Sequence, residues 1–260
     1  MSWFEALILG IVQGLTEFLP VSSSGHLLIA KELFGIQTDN LVFEVLVHAA
    51  TVLSVIIVFR HQILDLIKGL FKFTYNSQTK YVLFILVSMI PVFVVGVFFK
   101  DQVEMLFGGG MKQISIALYV TALLLLYATF AKPKEKPLNY SRSLLIGVAQ
   151  AVAVVPGLSR SGATISTGLL CGMKKEEVTQ FSFLMVLVPI LGEAFLELIG
   201  GNMSSASSGI AILPLIIGFL SAFVSGLFAC KIMIALVKQS KLSWFALYCI
   251  LVASLCLIFA

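Results

Sequence analysis

Long apolar runs, broken at two places by polar turns, set the pattern of this chain. Six runs are continuous, at about Phe43–Phe59, Tyr81–Phe99, Ile114–Phe130, Gln180–Ile199, Ile212–Cys230 and Leu242–Phe259. Each approaches the ~20 residues that cross a bilayer as a helix. None alternates as a barrel strand would. The two broken segments differ. Trp3–Leu19 is apolar but carries Glu5, Gln13 and Glu17, and it stops at Pro20 before a second short apolar piece, Leu27–Phe34. Ser143–Leu170 is interrupted by Pro156-Gly157 and Ser161-Gly162. Two short helices around a Ser/Gly/Pro turn predict a re-entrant hairpin, a backbone tolerated at membrane depth only inside protein or beside a wet cavity.

The two halves match in order. Gly10, Gln13, Ser22, Ser24 and Gly25 lie 137 positions before Gly147, Gln150, Ser159, Ser161 and Gly162. Phe93-Val94 and Gly96 lie 130 before Phe223-Val224 and Gly226, and Ala117-Leu118-Tyr119 lies 129 before Ala246-Leu247-Tyr248. The slow drift of the offset predicts a duplication. The expected fold is an all-α integral membrane domain, 1–260, of two inverted repeats. Repeat 1 covers about 1–131 and repeat 2 about 143–260, joined by the polar link 131–142. Each repeat holds one re-entrant hairpin and three spans, and the odd number turns the second repeat over.

Composition agrees with a bilayer location. Of 260 residues, 59% are hydrophobic and 12% charged, with a mean hydropathy of +1.06, whereas soluble domains carry about 25% charged residues. The net charge of +4 implies no nucleic acid, because the basic residues sit in short loops. Arg60, Lys68, Lys72, Lys80, Lys132, Lys134, Lys136, Arg142, Lys174, Lys175, Lys231, Lys238 and Lys241 fall on one face of the expected topology. Only Lys31, Lys100 and Lys112 fall on the other. The rich face is the cytoplasmic one, which puts both termini outside and brings the hairpins in from opposite sides. Cys171, Cys230, Cys249 and Cys256 lie in apolar segments without metal-site spacing and read as small buried hydrophobes. Met1–Glu5 lacks a basic n-region, so no cleaved signal peptide is expected.

Ionisable groups at membrane depth point to a site. Gln13 and Glu17 share one helix face, and Ser22, Ser23, Ser24 and His26 follow the proline. The second hairpin carries Ser159, Arg160, Ser161 and Thr164. If the tips meet, one pocket collects a carboxylate, an imidazole, a guanidinium and several hydroxyls. That inventory suits phosphoryl chemistry. Arg160 would clamp phosphate oxygens, Glu17 would offer an oxygen ligand to Mg²⁺, a serine would be the nucleophile, and His26 would exchange a proton with the leaving oxygen. Serines and threonines in membrane helices also bond neighbouring backbone, so packing competes with function at each of them. Glu44 and His48 form an i,i+4 pair in which His48 supports the site from behind or is simply a satisfied histidine. Glu193 and Glu197 are a second pair, able to snorkel or to line an entrance. Gly108-Gly109-Gly110 reads as an outer loop, since it lacks the Gly-Lys-Ser/Thr of a phosphate loop.

Gln13-Gly-Leu-Thr-Glu17 through Pro20-Val-Ser-Ser-Ser-Gly-His26, together with Pro156-Gly-Leu-Ser-Arg-Ser-Gly-Ala-Thr164, resembles the BacA-type undecaprenyl-pyrophosphate phosphatases. The resemblance covers the whole chain and rests on both motifs in the right order. It implies removal of one phosphate from undecaprenyl pyrophosphate, which recycles the lipid carrier for peptidoglycan and other envelope polymers and confers bacitracin resistance. It also implies a divalent cation (Mg²⁺ or Ca²⁺), a polyprenyl pyrophosphate lipid as substrate, and a bacterial plasma membrane location with the site facing outward; it leaves a homodimer open. By the same resemblance Glu17 is the essential glutamate, Ser23 the nucleophile, His26 the family histidine and Arg160 the phosphate-binding arginine flanked by Ser159 and Ser161. The family allows Glu or Gln where Gln13 stands, and glutamine removes one anionic ligand from the metal site. A flippase for polyprenyl phosphate is the alternative, because inverted repeats with broken helices are also a transporter plan. A PAP2-like phosphatase would need a Lys/Arg-rich signature that the sequence lacks.

Overall fold

The computed structural model describes residues 1–36, 42–107, 109–131, 134–199, 209–239 and 242–259. Gly108, Lys132 and Lys241, and the side chains of Lys100, Glu193, Glu197 and Lys238, lie outside the described residues. The described residues form thirteen helices and no strand. The first seven are α1 (Trp3–Phe18), α2 (Ser23–Phe34), α3 (Val42–Val58), α4 (Arg60–Leu70), α5 (Ser77–Phe98), α6 (Lys100–Phe107) and α7 (Gly110–Thr129). After the link come α8 (Tyr140–Val152), α9 (Arg160–Leu170), α10 (Lys175–Met185), α11 (Leu187–Ile199), α12 (Ile212–Gln239) and α13 (Ser243–Ile258).

Local signals explain most boundaries. Ser2 and Glu5 form a reciprocal capping box that starts α1, and Pro20 prevents its continuation beyond Leu19. Gly35 takes the left-handed conformation that ends α2. Asn76 and Asn139 cap α5 and α8 through their side chains. The link folds back on the second half: the Lys134 and Lys136 amides both donate to the Gly172 carbonyl, and the Leu138 amide donates to Glu177.

Four stretches are long and apolar enough to cross a bilayer: α5, α7, the α10–α11 run Lys175–Leu196, and Ile212–Ala235 of α12. The chain bends by 78° between α3 and α4, so this pair makes a fifth span only if taken together. α13 is apolar but has 16 residues. The expected runs at Phe43–Phe59 and Leu242–Phe259 are thus helical, at 17 and 16 residues near the lower limit for a span. The run expected at Gln180–Ile199 changes helix at Val186, with Pro189 in the first turn of α11, where its missing N–H costs no helical bond. Of the glycines expected in an outer loop, Gly109 caps α7 and Gly110 opens it. The outer surface is far more apolar than that of a soluble protein. Thr51, Ser88 and Thr121 are buried, while Phe93, Phe98 and Phe195 stand out on the surface. Large apolar side chains over the outer surface, with a few polar ones set into the core, fit a lipid surround.

Close backbone approach organises the packing. α1 lies against α12, where a Cβ on Gly10 would sit 2.5 Å from the Gly218 carbonyl and one on Gly14 would sit 2.5 Å from the Ala222 carbonyl. α8 lies against α5, where a Cβ on Gly147 would sit 2.3 Å from the Ser88 carbonyl. Ser143 also donates to the Phe84 carbonyl across that contact. α7 packs on α13, and α3 packs on α12. In the core, Phe183 meets Phe18 and Phe59 edge-on, with centroids 5.6 and 6.1 Å apart.

Candidate active site

Glu17 occupies the last turn of α1, one turn beyond Gln13, and both are buried. The chain then turns through Leu19–Ser22. Ser22 caps α2 by accepting the Gly25 amide, at φ 71° and ψ 97°, a backbone region that non-glycine residues rarely adopt. The second hairpin repeats the device with less strain: Ser159 caps α9 by accepting the Gly162 amide, and the left-handed turn falls on Gly157 at φ 87°. Only glycine suits that position, since a Cβ there would also press on Ile114 and Ala117 at 3.0 Å.

The two tips touch. A Cβ on Gly25 would lie 3.2 Å from Gly157 Cα, the Gly157 amide approaches Ser24 Oγ at 3.4 Å, and Ser161 donates to the Leu19 carbonyl at 3.0 Å. Glu17 is the hub of the junction. Its Oε1 accepts Arg160 at 2.7 Å, and its Oε2 accepts Ser23 at 2.6 Å and Gln13 Nε2 at 3.0 Å. A charge-assisted pair of this kind is what keeps a carboxylate tolerable in so dry a place. Arg160 also donates to the Ser182 carbonyl at 3.2 Å, which fixes the guanidinium plane.

These groups wall a cavity of about 380 Å³, a head-group volume on the scale of ligand pockets, which run to about 300–1,000 Å³. Glu17, Ser22, Ser23, Ser24, Ser159, Arg160 and Ser161 line it, as do His48, Glu44 and Gln150. Valines 45, 92, 103, 154 and 186 give the rest of the wall an apolar lining. The first residues of α2 and α9 form part of that wall, so the positive ends of two helix dipoles abut it, an arrangement suited to an anion. Formal charge otherwise cancels in pairs, Glu17 with Arg160 and Glu44 with Lys31. Gln13 Oε1 and Gln150 Oε1 are buried without a hydrogen-bond partner.

Three expected residues lie off the cavity wall: His26, Thr164 and Gln13, the last fully buried and donating to Glu17. His26 does not line the cavity: its Nδ1 lies 2.7 Å from the Ser22 carbonyl and its Nε2 2.8 Å from the Tyr248 hydroxyl. Thr164 is buried in α9, donating to the Arg160 carbonyl and sharing a 2.7 Å hydrogen bond with Ser182 Oγ. His48, expected only to support the site, stands on the cavity wall. Its Nδ1 is bound to the Glu44 carbonyl at 2.8 Å, and its Nε2 is 3.7 Å from Glu17 Oε2, beyond hydrogen-bond range. Sequence reasoning missed Thr121, which accepts the Ser159 amide at 3.0 Å, and Ser182. Both are ordinary polar residues of membrane helices. Tyr248 had a signal, since it belongs to one of the repeated triplets.

Comparison with known proteins places this geometry. Undecaprenyl-diphosphatase of Parabacteroides distasonis is 55% identical over 252 residues, covering 96% of this chain and 95% of the relative. Undecaprenyl-diphosphatase of Bacteroides fragilis is 54% identical over 255 residues, covering 97% and 96%. Undecaprenyl-diphosphatase of the distant Korarchaeum cryptofilum is still 40% identical over 257 residues, covering 95% of each. The model of the bacitracin resistance protein BacA matches residues 6–255, a stretch that contains both hairpin turns and every candidate site residue, so the chain belongs to the BacA family.

Proposed function

We propose that this protein is an undecaprenyl-diphosphatase, an integral membrane hydrolase that converts undecaprenyl pyrophosphate to undecaprenyl phosphate. The observation that carries the reading is the grip of one buried carboxylate, Glu17, on a hydroxyl from its own hairpin and a guanidinium from the other. The cavity takes the pyrophosphate, and the polyprenyl chain stays among the apolar helices. Ser23 Oγ bonds to the terminal phosphorus while its proton passes to Glu17 Oε2, 2.6 Å away. The bond to the bridging oxygen breaks, and undecaprenyl phosphate departs with that electron pair. Water then cleaves the phosphoserine, releasing phosphate and restoring the hydroxyl. Arg160 stabilises the charge that develops on the transferring phosphoryl group.

A divalent cation fits this donor set. Glu17, on the cavity wall, is a hard oxygen donor; Gln13 Oε1, unpartnered on the neighbouring turn, is a second one off that wall, and the paired charges of the cavity leave a pyrophosphate short of positive counter-charge. Mg²⁺ commonly takes one or two carboxylates plus water and substrate phosphate. When bound, it would neutralise phosphate charge beside Arg160. The structural part of the proposal is six crossings in two inverted repeats, with the site facing the periplasm. Equivalent packing supports it: Gly10 on Gly218 and Gly147 on Ser88 are the same contact at the sequence offsets of 137 and 130.

Phosphate release from a C55 pyrophosphate by purified protein in detergent tests the function, because a carrier needs two compartments and a hydrolase needs none. Turnover is expected for wild type, loss of at least hundredfold for Ser23→Ala, and reversible loss on EDTA treatment. Full activity of Ser23→Ala would remove the serine from the chemistry, and activity indifferent to EDTA would remove the cation.

A further inference from the structure

We propose that Tyr248, on α13, is a positioning residue that aims Ser23 through His26; this rests on the phosphatase reading above. The argument starts from Ser22, whose left-handed backbone is strained and persists only if its surroundings hold it. Its carbonyl is held twice, by the His26 amide at 3.2 Å and by His26 Nδ1 at 2.7 Å. A carbonyl only accepts, so Nδ1 carries the proton and Nε2 of the neutral ring is left as an acceptor. The Tyr248 hydroxyl fills that role as donor, 2.8 Å away. The two rings also stack, 8° from parallel with centroids 5.6 Å apart.

The chain of contacts therefore runs from the Tyr248 hydroxyl through both imidazole nitrogens to the Ser22 carbonyl. The next residue is Ser23, whose hydroxyl meets Glu17 at 2.6 Å. His26 has both nitrogens engaged outside the cavity and acts through the backbone rather than on substrate. The repeat-2 element α13 thus sets the nucleophile of hairpin 1. A nucleophile displaced by about 1 Å is enough to slow chemistry about 10²-fold.

Steady-state turnover of the C55 pyrophosphate by Tyr248→Phe, His26→Gln and the double variant tests the proposal. Tyr248→Phe keeps the stacked ring and loses only the hydroxyl. We expect kcat to fall about ten- to hundredfold with KM within about twofold, and the double variant to be no slower than His26→Gln alone. Wild-type kcat in Tyr248→Phe, a change confined to KM, or losses that multiply in the double variant would each overturn it. Ser23→Ala run alongside separates the two levels. If it is inactive while Tyr248→Phe is normal, only the positioning role fails; if it is fully active, the phosphatase site itself fails.

Discussion

Replacing Arg160 with methionine takes away the cation that touches Glu17 and leaves a carboxylate whose side chain is only 7% exposed. Breaking a buried ion pair from one side costs about 3–5 kcal/mol, mostly because the remaining charge has lost its counter-ion while still largely shielded from water; the Ser23 and Gln13 donors that stay on Glu17 put this case at the lower end. Glu17→Gln is the milder half of the cycle. Arg160 keeps the Ser182 carbonyl and some access to the cavity, so that variant loses about 1–3 kcal/mol. Adding Glu17→Gln to Arg160→Met removes the stranded charge, and the double variant is expected to be more stable than Arg160→Met alone by about 1 kcal/mol or more. Unfolding of the four proteins in mixed detergent micelles, followed by circular dichroism, gives the cycle. All three variants should also lose phosphate release, by about 10²–10³-fold for Arg160→Met. Destabilisations that add within about 0.5 kcal/mol would mean that the two side chains do not interact energetically, and the contact between hairpins would no longer explain the burial of Glu17.

Gly147→Ala should destabilise by about 1–3 kcal/mol, because its Cβ would meet the Ser88 backbone carbonyl at 2.3 Å and α5 would have to move; Gly96→Ala, which meets nothing within 4 Å, should change the unfolding midpoint little. A reporter fused after Ala260 should read as periplasmic, and a cytoplasmic signal would reject the proposed orientation.

The sequence made the site more legible than the fold. Glu17 and Arg160 are 143 residues apart, yet each stands out as an ionisable group in an apolar setting beside a Ser/Gly/Pro turn, which identifies the two hairpins without any knowledge of contacts. Side-chain direction was harder to read. His26 is four residues from Ser22, and its imidazole lies on the Ser22 carbonyl beside that unusual cap, away from the cavity, which no periodicity encodes. His48 was readable as part of an i,i+4 pair but not as a cavity residue, because its neighbour Glu17 comes from another helix. The 78° bend after Val58 and the change of helix at Val186 were also missed. Hydropathy runs smoothly into both, and only Arg60-His61 and Pro189 mark them.

The pairing of α1 with α12 has a consequence for how the protein is made. α1 emerges first from the ribosome, but the helix that covers its glycine face follows about 200 residues later. At synthesis rates of about 5–20 residues per second, the first hairpin waits roughly 10–40 s for its neighbour. For most of that interval Glu17 sits in a half-built membrane protein, because Arg160 follows it by 143 residues. Assembly is therefore a late event of biogenesis, and a chain truncated before α12 holds both motifs but lacks the wall against which the first one rests.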